Sequence, residues 1–238
     1  MKEKLDMTVK PDSLLLSGDK CFFSLQGEGD SLGKPAIFLR LHLCNLKCSF
    51  CDTPYTWDRE DKRFWEEPER WSVTETVSRI KQFPCKRLVI TGGEPLLHRK
   101  AIAETMDLLD NDWTFEIETN GTLPPFDSDR DIQYNVSPKL ENSGNLETVR
   151  YRPEILKEFN ELNSHFKFVV TGPEDIPEIE RIIEECKLDK DKIILMPEGI
   201  TQEDVAEHGR KVAKLCKEKG WRLIPRLQIL LWGNDRSK

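Results

Sequence analysis

Cys44-Asn45-Leu46-Lys47-Cys48-Ser49-Phe50-Cys51 sets three thiols at a C-x3-C-x2-C spacing, and the reading of this stretch decides that of the whole chain. Three thiolates in so short a loop suit three irons of one iron-sulfur cluster and leave a fourth iron without a protein ligand. A structural zinc site is normally closed by four protein ligands, so an unmatched triplet points to a metal that binds something else. Two plainer readings stand beside this one: buried small hydrophobes, or a zinc ligand set. The neighbours favour the cluster. Asp52 and Thr53 follow at once, Phe50 lies between the last two thiols, and a second signature, Thr91-Gly92-Gly93-Glu94-Pro95, ends a clear apolar run.

Outward from this loop, extended apolar runs alternate with helix-period segments, as in successive βα units. Strands are expected at Ala36–His42, Arg87–Thr91, Trp113–Glu118, Ile132–Ser137, Phe166–Thr171, Lys192–Pro197 and Trp221–Pro225. Ser72 and Glu75 form a capping-box pattern ahead of Val73, Val77 and Ile80, which predicts a helix start there. Ile102, Met106 and Leu109, then Ile176, Ile179 and Ile182, then Val205, Val212 and Leu215, mark three further helices. About six βα repeats fall short of the eight of a closed barrel. The fold class is therefore α/β, an open, partial (β/α)6 TIM-like barrel with a cluster loop. The charged segment Asp52–Arg70, carrying Trp57 and Trp65, breaks the alternation as an insertion or lid over that loop. Residues 1–17 read as a mobile lead-in, and 18–238 as a single domain.

Composition narrows the function classes. Among 238 residues, 36 Lys and Arg stand against 43 Asp and Glu, a formal net charge of −7, which disfavours a broad electrostatic grip on nucleic acid. No stretch approaches a membrane span, and Met1-Lys2-Glu3-Lys4 opens no signal peptide, so a cytoplasmic protein acting on a small molecule is expected. Seven cysteines without an export signal argue for free thiols and a metal; Cys21, Cys85, Cys186 and Cys216 lack ligand spacing and read as packing residues.

The candidate functional residues follow predicted strands, where open α/β folds and barrels place their chemistry. Gly92 and Gly93 let a ligand approach the backbone while Glu94 offers a carboxylate, although the same residues also serve a simple tight turn. In Glu116-Ile117-Glu118-Thr119-Asn120, alternation puts Glu116 and Glu118 on one side, with Glu118 nearest the rim. Asn120 shares the turn that follows. Ser137-Pro138-Lys139 closes the next strand with a hydroxyl and a point positive charge suited to a carboxylate.

The cluster spacing and the Gly-Gly-Glu turn resemble the radical S-adenosylmethionine enzymes. Ser24-Leu25-Gln26-Gly27-Glu28-Gly29, Phe38-Leu39-Arg40, Cys51-Asp52-Thr53, Ser137-Pro138-Lys139, Met196-Pro197-Glu198-Gly199 and Leu231-Trp232-Gly233-Asn234 make the match more specific: together they resemble the 7-carboxy-7-deazaguanine synthase family. That resemblance implies conversion of 6-carboxy-5,6,7,8-tetrahydropterin into 7-carboxy-7-deazaguanine with loss of ammonia. It implies a [4Fe–4S] cluster on Cys44, Cys48 and Cys51, S-adenosylmethionine, and Mg2+ at Thr53. Phe50, Cys51, Asp52, Gly92, Gly93, Glu94, Ser137, Pro138, Lys139, Met196, Pro197, Glu198 and Gly199 would hold the cofactor. Leu25, Gln26, Gly27 and Thr91 would line the pterin pocket, and Arg40 would clamp the substrate carboxylate, a task its guanidinium fork suits on independent grounds. Arg40 and Glu118 are thus the catalytic candidates. A one-electron reductant such as flavodoxin or ferredoxin is expected, as is a homodimer, with the apolar tail Ile229–Trp232 as a candidate interface strand. The tail departs from the family: Arg226-Leu227-Gln228 stands where many members carry Gln-Leu-His, and Gln228 cannot become cationic. Two other readings remain at this level, a radical activase of a glycyl-radical enzyme and a noncatalytic metal-binding module.

Overall fold

The computed structural model describes residues 5–233 and 235, so Asn234 of the tail motif and Met1 to Lys4 lie outside the described residues. One mixed sheet organises them. Its strands are β1 (Ser13–Leu25), β2 (Pro35–Leu41), β3 (Glu69–Ser72), β4 (Arg87–Gly92), β5 (Thr114–Thr119), β6 (Ile132–Val136), β7 (Ser164–Val170), β8 (Ile193–Pro197) and β9 (Arg222–Leu223), ordered β3-β1-β2-β4-β5-β6-β7-β8-β9. From β2 to β9 every pairing is parallel, while β1 pairs antiparallel with both β2 and β3. Strands covered on both faces read as near-continuous apolar runs. Leu88-Val89-Ile90 and Ile193-Ile194-Leu195 are such runs, and all six residues are fully buried. The seven strands expected from sequence are the seven parallel strands, and the sheet is open.

The helices are α1 (Arg63–Glu66), α2 (Val73–Ile80), α3 (Arg99–Asp107), α4 (Glu147–Arg150), α5 (Pro153–Asn160), α6 (Ile176–Cys186), α7 (Gln202–Lys219) and α8 (Leu227–Trp232). Ser72 caps α2 by accepting the Glu75 N–H, as the sequence pattern predicts. The crossover from β5 to β6 carries no helix. Pro124 and Pro125 interrupt it, and Arg99 donates to both of their carbonyls (2.9 and 2.7 Å), which holds the segment as a loop. No helix among the described residues is long and apolar enough to cross a membrane.

Three expectations need correction. The lead-in assigned to residues 1–17 already contains the start of β1: Leu14, Leu15 and Leu16 are fully buried because Ser13 to Leu16 pair with Ser72 to Glu69, a partner more than fifty residues away. The segment from Asp52 to Arg70 divides in two. Its first part lines the central cavity through Thr53, Tyr55, Thr56 and Trp57, while its last part enters the sheet as β3, and Trp65 stays exposed. The tail at Ile229–Trp232 is helical, because a turn of α8 buries Ile229 and turns Leu230 and Leu231 outward, a division that a strand's alternation would not give. Cys186 and Cys216 lie within the main core, and Cys21 and Cys85 pack against it.

Candidate active site

At the C-terminal ends of the parallel strands lies a cavity of about 310 Å³, bounded by the cluster loop, the Gly-Gly turn and the last helix. Sheet register builds its floor. Arg40 of β2 stands beside Thr91 of β4, and Glu118 of β5 beside Asn135 of β6; Thr91 Oγ1 donates to Glu118 Oε2 (2.6 Å) and joins the two pairs. All four residues line the cavity. Arg40 lies over the Phe22 ring at 5.4 Å, and its Nε is buried without a hydrogen-bond partner among the described residues. An unpartnered guanidinium nitrogen beside a cavity is a costly arrangement until an anion arrives.

Behind Glu118 sits a second carboxylate. Gln26 Nε2 donates to Glu116 Oε1 (2.6 Å) and to Glu118 Oε1 (3.1 Å), while Ser31 and Asn135 also donate to Glu116. Burial, then the Glu118 charge against the relief of the Ser31 bond, pushes the Glu116 carboxyl up to about 7. Gln26 is thus a brace between two acids as well as part of the cavity wall.

The cluster loop is held from several sides. Leu43 adopts a left-handed backbone (φ 74), uncommon for a residue with a branched side chain, and is pinned by Leu43 N to Thr56 O (3.0 Å) and Glu94 N to Leu43 O (2.8 Å). A Cβ on Gly93 would fall 1.9 Å from Leu43 O, and one on Gly92, whose φ is 119, would fall 2.2 Å from Leu41 O. Both glycines therefore admit the neighbouring backbone of the cluster strand, beyond any ligand they admit. Glu94 does not present its carboxylate to the cavity, contrary to expectation. It is fully buried, and its oxygens accept from Leu96 N (3.0 Å), Thr119 Oγ1 (2.8 Å) and Asn120 N (2.8 Å).

Of the other expected residues, Leu25, Gly27, Phe50, Asp52, Ser137, Lys139, Met196 and Glu198 line the cavity, as do Cys44, Cys48, Cys51 and Thr53; Pro138, Pro197 and Gly199 do not. Thr53 Oγ1 lies 3.6 Å from Cys51 Sγ, and Lys139 Nζ donates to Ser137 O and Oγ (2.9 and 2.7 Å). Asn120 also lines the wall and donates to Asn45 Oδ1 of the cluster loop (2.9 Å).

A buried ion network, unforeseen from sequence, closes the far side. Arg226 Nε donates to Glu28 Oε1 (3.2 Å) and Nη1 to Gly199 O (2.6 Å), and Nη2 pairs with Asp52. Lys167 pairs with Glu28, and Gln228 Nε2 donates to Glu28 Oε1 (2.7 Å). Burial alone would raise the Glu28 carboxyl, but the Lys167 and Arg226 charges outweigh it and hold the group well below its ordinary range. A lysine between Phe166 and Phe168 in β7 was the available signal; its partner across the sheet was not.

The donor set can be tested against an iron-sulfur cluster. The three thiols share one cavity wall with open space before them, and Asn145 Nδ2 donates to Cys48 Sγ (3.4 Å). Among the described residues, no three His, Cys, Asp or Glu side chains converge closely enough to hold a single metal ion. Three thiolates facing one open space suit a group that offers each its own iron. Burial pushes the Cys44 thiol up to about 12, aided by the Glu94 charge, and also raises Cys48, so metal binding must release those protons.

Residues 40–212 match the family model described as the Radical SAM superfamily. The chain is 35% identical to a 7-carboxy-7-deazaguanine synthase of Pyrobaculum aerophilum, over 91% of this chain and 95% of that one. It is 34% identical to the enzyme of that name from Halobacterium salinarum, over 94% and 93%. The crystal structure of QueE from Escherichia coli superposes with a TM-score of 0.71 at 27% identity, covering 90% of this chain and 93% of the other.

Proposed function

The chain belongs to the 7-carboxy-7-deazaguanine synthase family of the radical SAM superfamily, and from that premise we propose that it converts 6-carboxy-5,6,7,8-tetrahydropterin into 7-carboxy-7-deazaguanine with loss of ammonia. The observation that carries this reading to the substrate is Arg40, a cation at the cavity floor with a buried, unpartnered Nε. A carboxylated ring would place its anion there, where a bidentate pair fixes both position and orientation. Neither a partner-protein activase nor a noncatalytic metal module has a use for such a clamp.

Cys44, Cys48 and Cys51 would hold a [4Fe–4S] cluster, which with S-adenosylmethionine supplies the one-electron chemistry that generates a hydrogen-abstracting radical. Phe50 and Asp52 on the cluster loop, Gly93 at the end of β4, Ser137 and Lys139 after β6, and Met196 and Glu198 after β8 would surround the cofactor. Leu25, Gly27 and Thr91 would bound the pterin, and Glu118, fixed by Thr91 and Gln26, would accept hydrogen bonds from its ring N–H groups. Thr53 would give one oxygen to Mg2+, an ion that keeps much of its own hydration and binds substrate oxygens. Buried walls on either side would exclude water from the reacting carbon. An external one-electron donor such as flavodoxin or ferredoxin, a homodimeric assembly and a cytoplasmic setting with reduced thiols complete the proposal.

The test is anaerobic incubation of reconstituted protein with the carboxylated tetrahydropterin, S-adenosylmethionine, Mg2+ and a strong reductant, read by mass spectrometry. The deazaguanine acid is the expected product. Cofactor cleavage to 5′-deoxyadenosine without that acid would leave the radical machinery standing and remove the substrate assignment.

A further inference from the structure

Asn145 lies outside the cavity wall, in the turn between the β6 loop and α4, yet it touches the cluster loop twice. Its Oδ1 accepts the backbone N–H of Lys47 (2.9 Å), and its Nδ2 donates to Cys48 Sγ (3.4 Å). The first contact settles the orientation of the side-chain amide: a backbone N–H can only donate, so the oxygen faces Lys47 and the NH2 faces the sulfur. Its other neighbours are Ser143 O and Oγ, at 3.4 and 3.3 Å. The residue is itself anchored. Arg150 Nε donates to Asn145 O (3.1 Å), and Arg150 Nη1 donates to Lys139 O (2.9 Å) and Glu178 Oε1 (2.6 Å). Arg150 is buried, and Glu178 also accepts the Glu141 N–H (2.8 Å), so the amide is aimed by a fixed scaffold.

We propose that Asn145 is a positioning residue that raises the reduction potential of the cluster through its hydrogen bond to the Cys48 thiolate. The inference rests on the cluster assignment above. Reduction adds one electron to a group already bearing thiolate charge, so an N–H donor at sulfur stabilises the reduced form more than the oxidised form. A positive shift makes the electron easier to deliver from an external donor. Asn145 then does two things with one side chain: it fixes the loop at Lys47 and tunes the metal group at Cys48.

Reconstituted wild-type, Asn145→Ala and Asn145→Asp proteins would be compared by iron analysis and by a redox titration followed by electron paramagnetic resonance. Asn145→Asp keeps an acceptor for Lys47 N–H but replaces the donor at sulfur with a negative oxygen, so it separates tuning from loop anchoring. Equal iron content is expected in all three. The equilibrium for reduction should fall threefold to tenfold in Asn145→Ala, about 30–60 mV at one electron, and further in Asn145→Asp. Potentials equal to wild type in both variants would overturn the proposal, as would loss of the cluster from both, which would leave Asn145 a retention residue only. A wild-type protein that takes up no cluster would remove the cluster assignment and this inference together, whereas an intact wild-type cluster with unmoved potentials removes the inference alone.

Discussion

Glu116 and Glu118 are two residues apart on one strand and differ in what surrounds them. Glu118 lines the cavity, whereas Glu116 is fully buried behind it and ringed by Gln26, Ser31 and Asn135. With its carboxyl raised to about 7 against an ordinary value of 4.5, Glu116 binds a proton in the folded chain that the unfolded chain releases between those values. Stability therefore falls as pH rises from about 4.5 to 7, by up to ~3 kcal/mol for the full shift. Glu116→Gln should remove this dependence, leaving stability near wild type at pH 5 and raising it above pH 7. Urea unfolding at pH 5 and pH 8 checks this, and an unchanged slope between the two would show that Glu116 is ionised throughout. From sequence, alternation does place the two acids on one side; which one meets the cavity depends on the strand's end, and Glu118 at the rim was legible for that reason. The inward turn of Glu94 was not, because its partners Thr119 and Asn120 reach it only through the fold.

At the scale of elements, the last helix and the first long loop form one unit. Leu227 N donates to Gly27 O (2.9 Å), a Cβ on Gly27 would meet Gln228 Oε1 at 1.9 Å, and Arg226 ties Glu28, Asp52 and Gly199 together. Gln228 spends its donor on Glu28, and Lys167 with Arg226 supplies the positive charge that offsets this carboxylate. Arg226→Met should leave Asp52 unpaired and Glu28 with Lys167 as its one charged partner among the described residues. Because Asp52 is partly exposed, the cost falls toward the lower end of the ~3–5 kcal/mol typical of a broken buried pair. Chemical denaturation measures it, and a loss below ~1 kcal/mol would mean that the network contributes little to holding the tail. Sequence reading found the parallel strands and the major helices because their apolar periods are local. It missed β1, β3 and α8, since the pairing of Ser13 to Leu16 with β3 and the docking of the tail are made across the chain.

For the molecule as a whole, the parallel strands of an open mixed sheet turn their C-terminal ends toward one cavity, with thiols on one wall, a carboxylate-ready cation on the floor and an ion network at the far side. On the proposed function, cofactor binding falls to the loops and substrate orientation to the register row of Arg40, Thr91, Glu118 and Asn135. Its central claim is that Arg40 recognises the substrate's carboxylate. The most direct test is anaerobic calorimetry of 6-carboxytetrahydropterin and of tetrahydropterin lacking the carboxyl group, each with wild-type protein and with Arg40→Ala. A charge-assisted pair contributes about 1.5–3 kcal/mol, so wild type should prefer the carboxylated ring by roughly 10- to 100-fold. Arg40→Ala should bind both rings alike; a preference that survives in the variant would place the carboxylate elsewhere in the cavity and contradict the account.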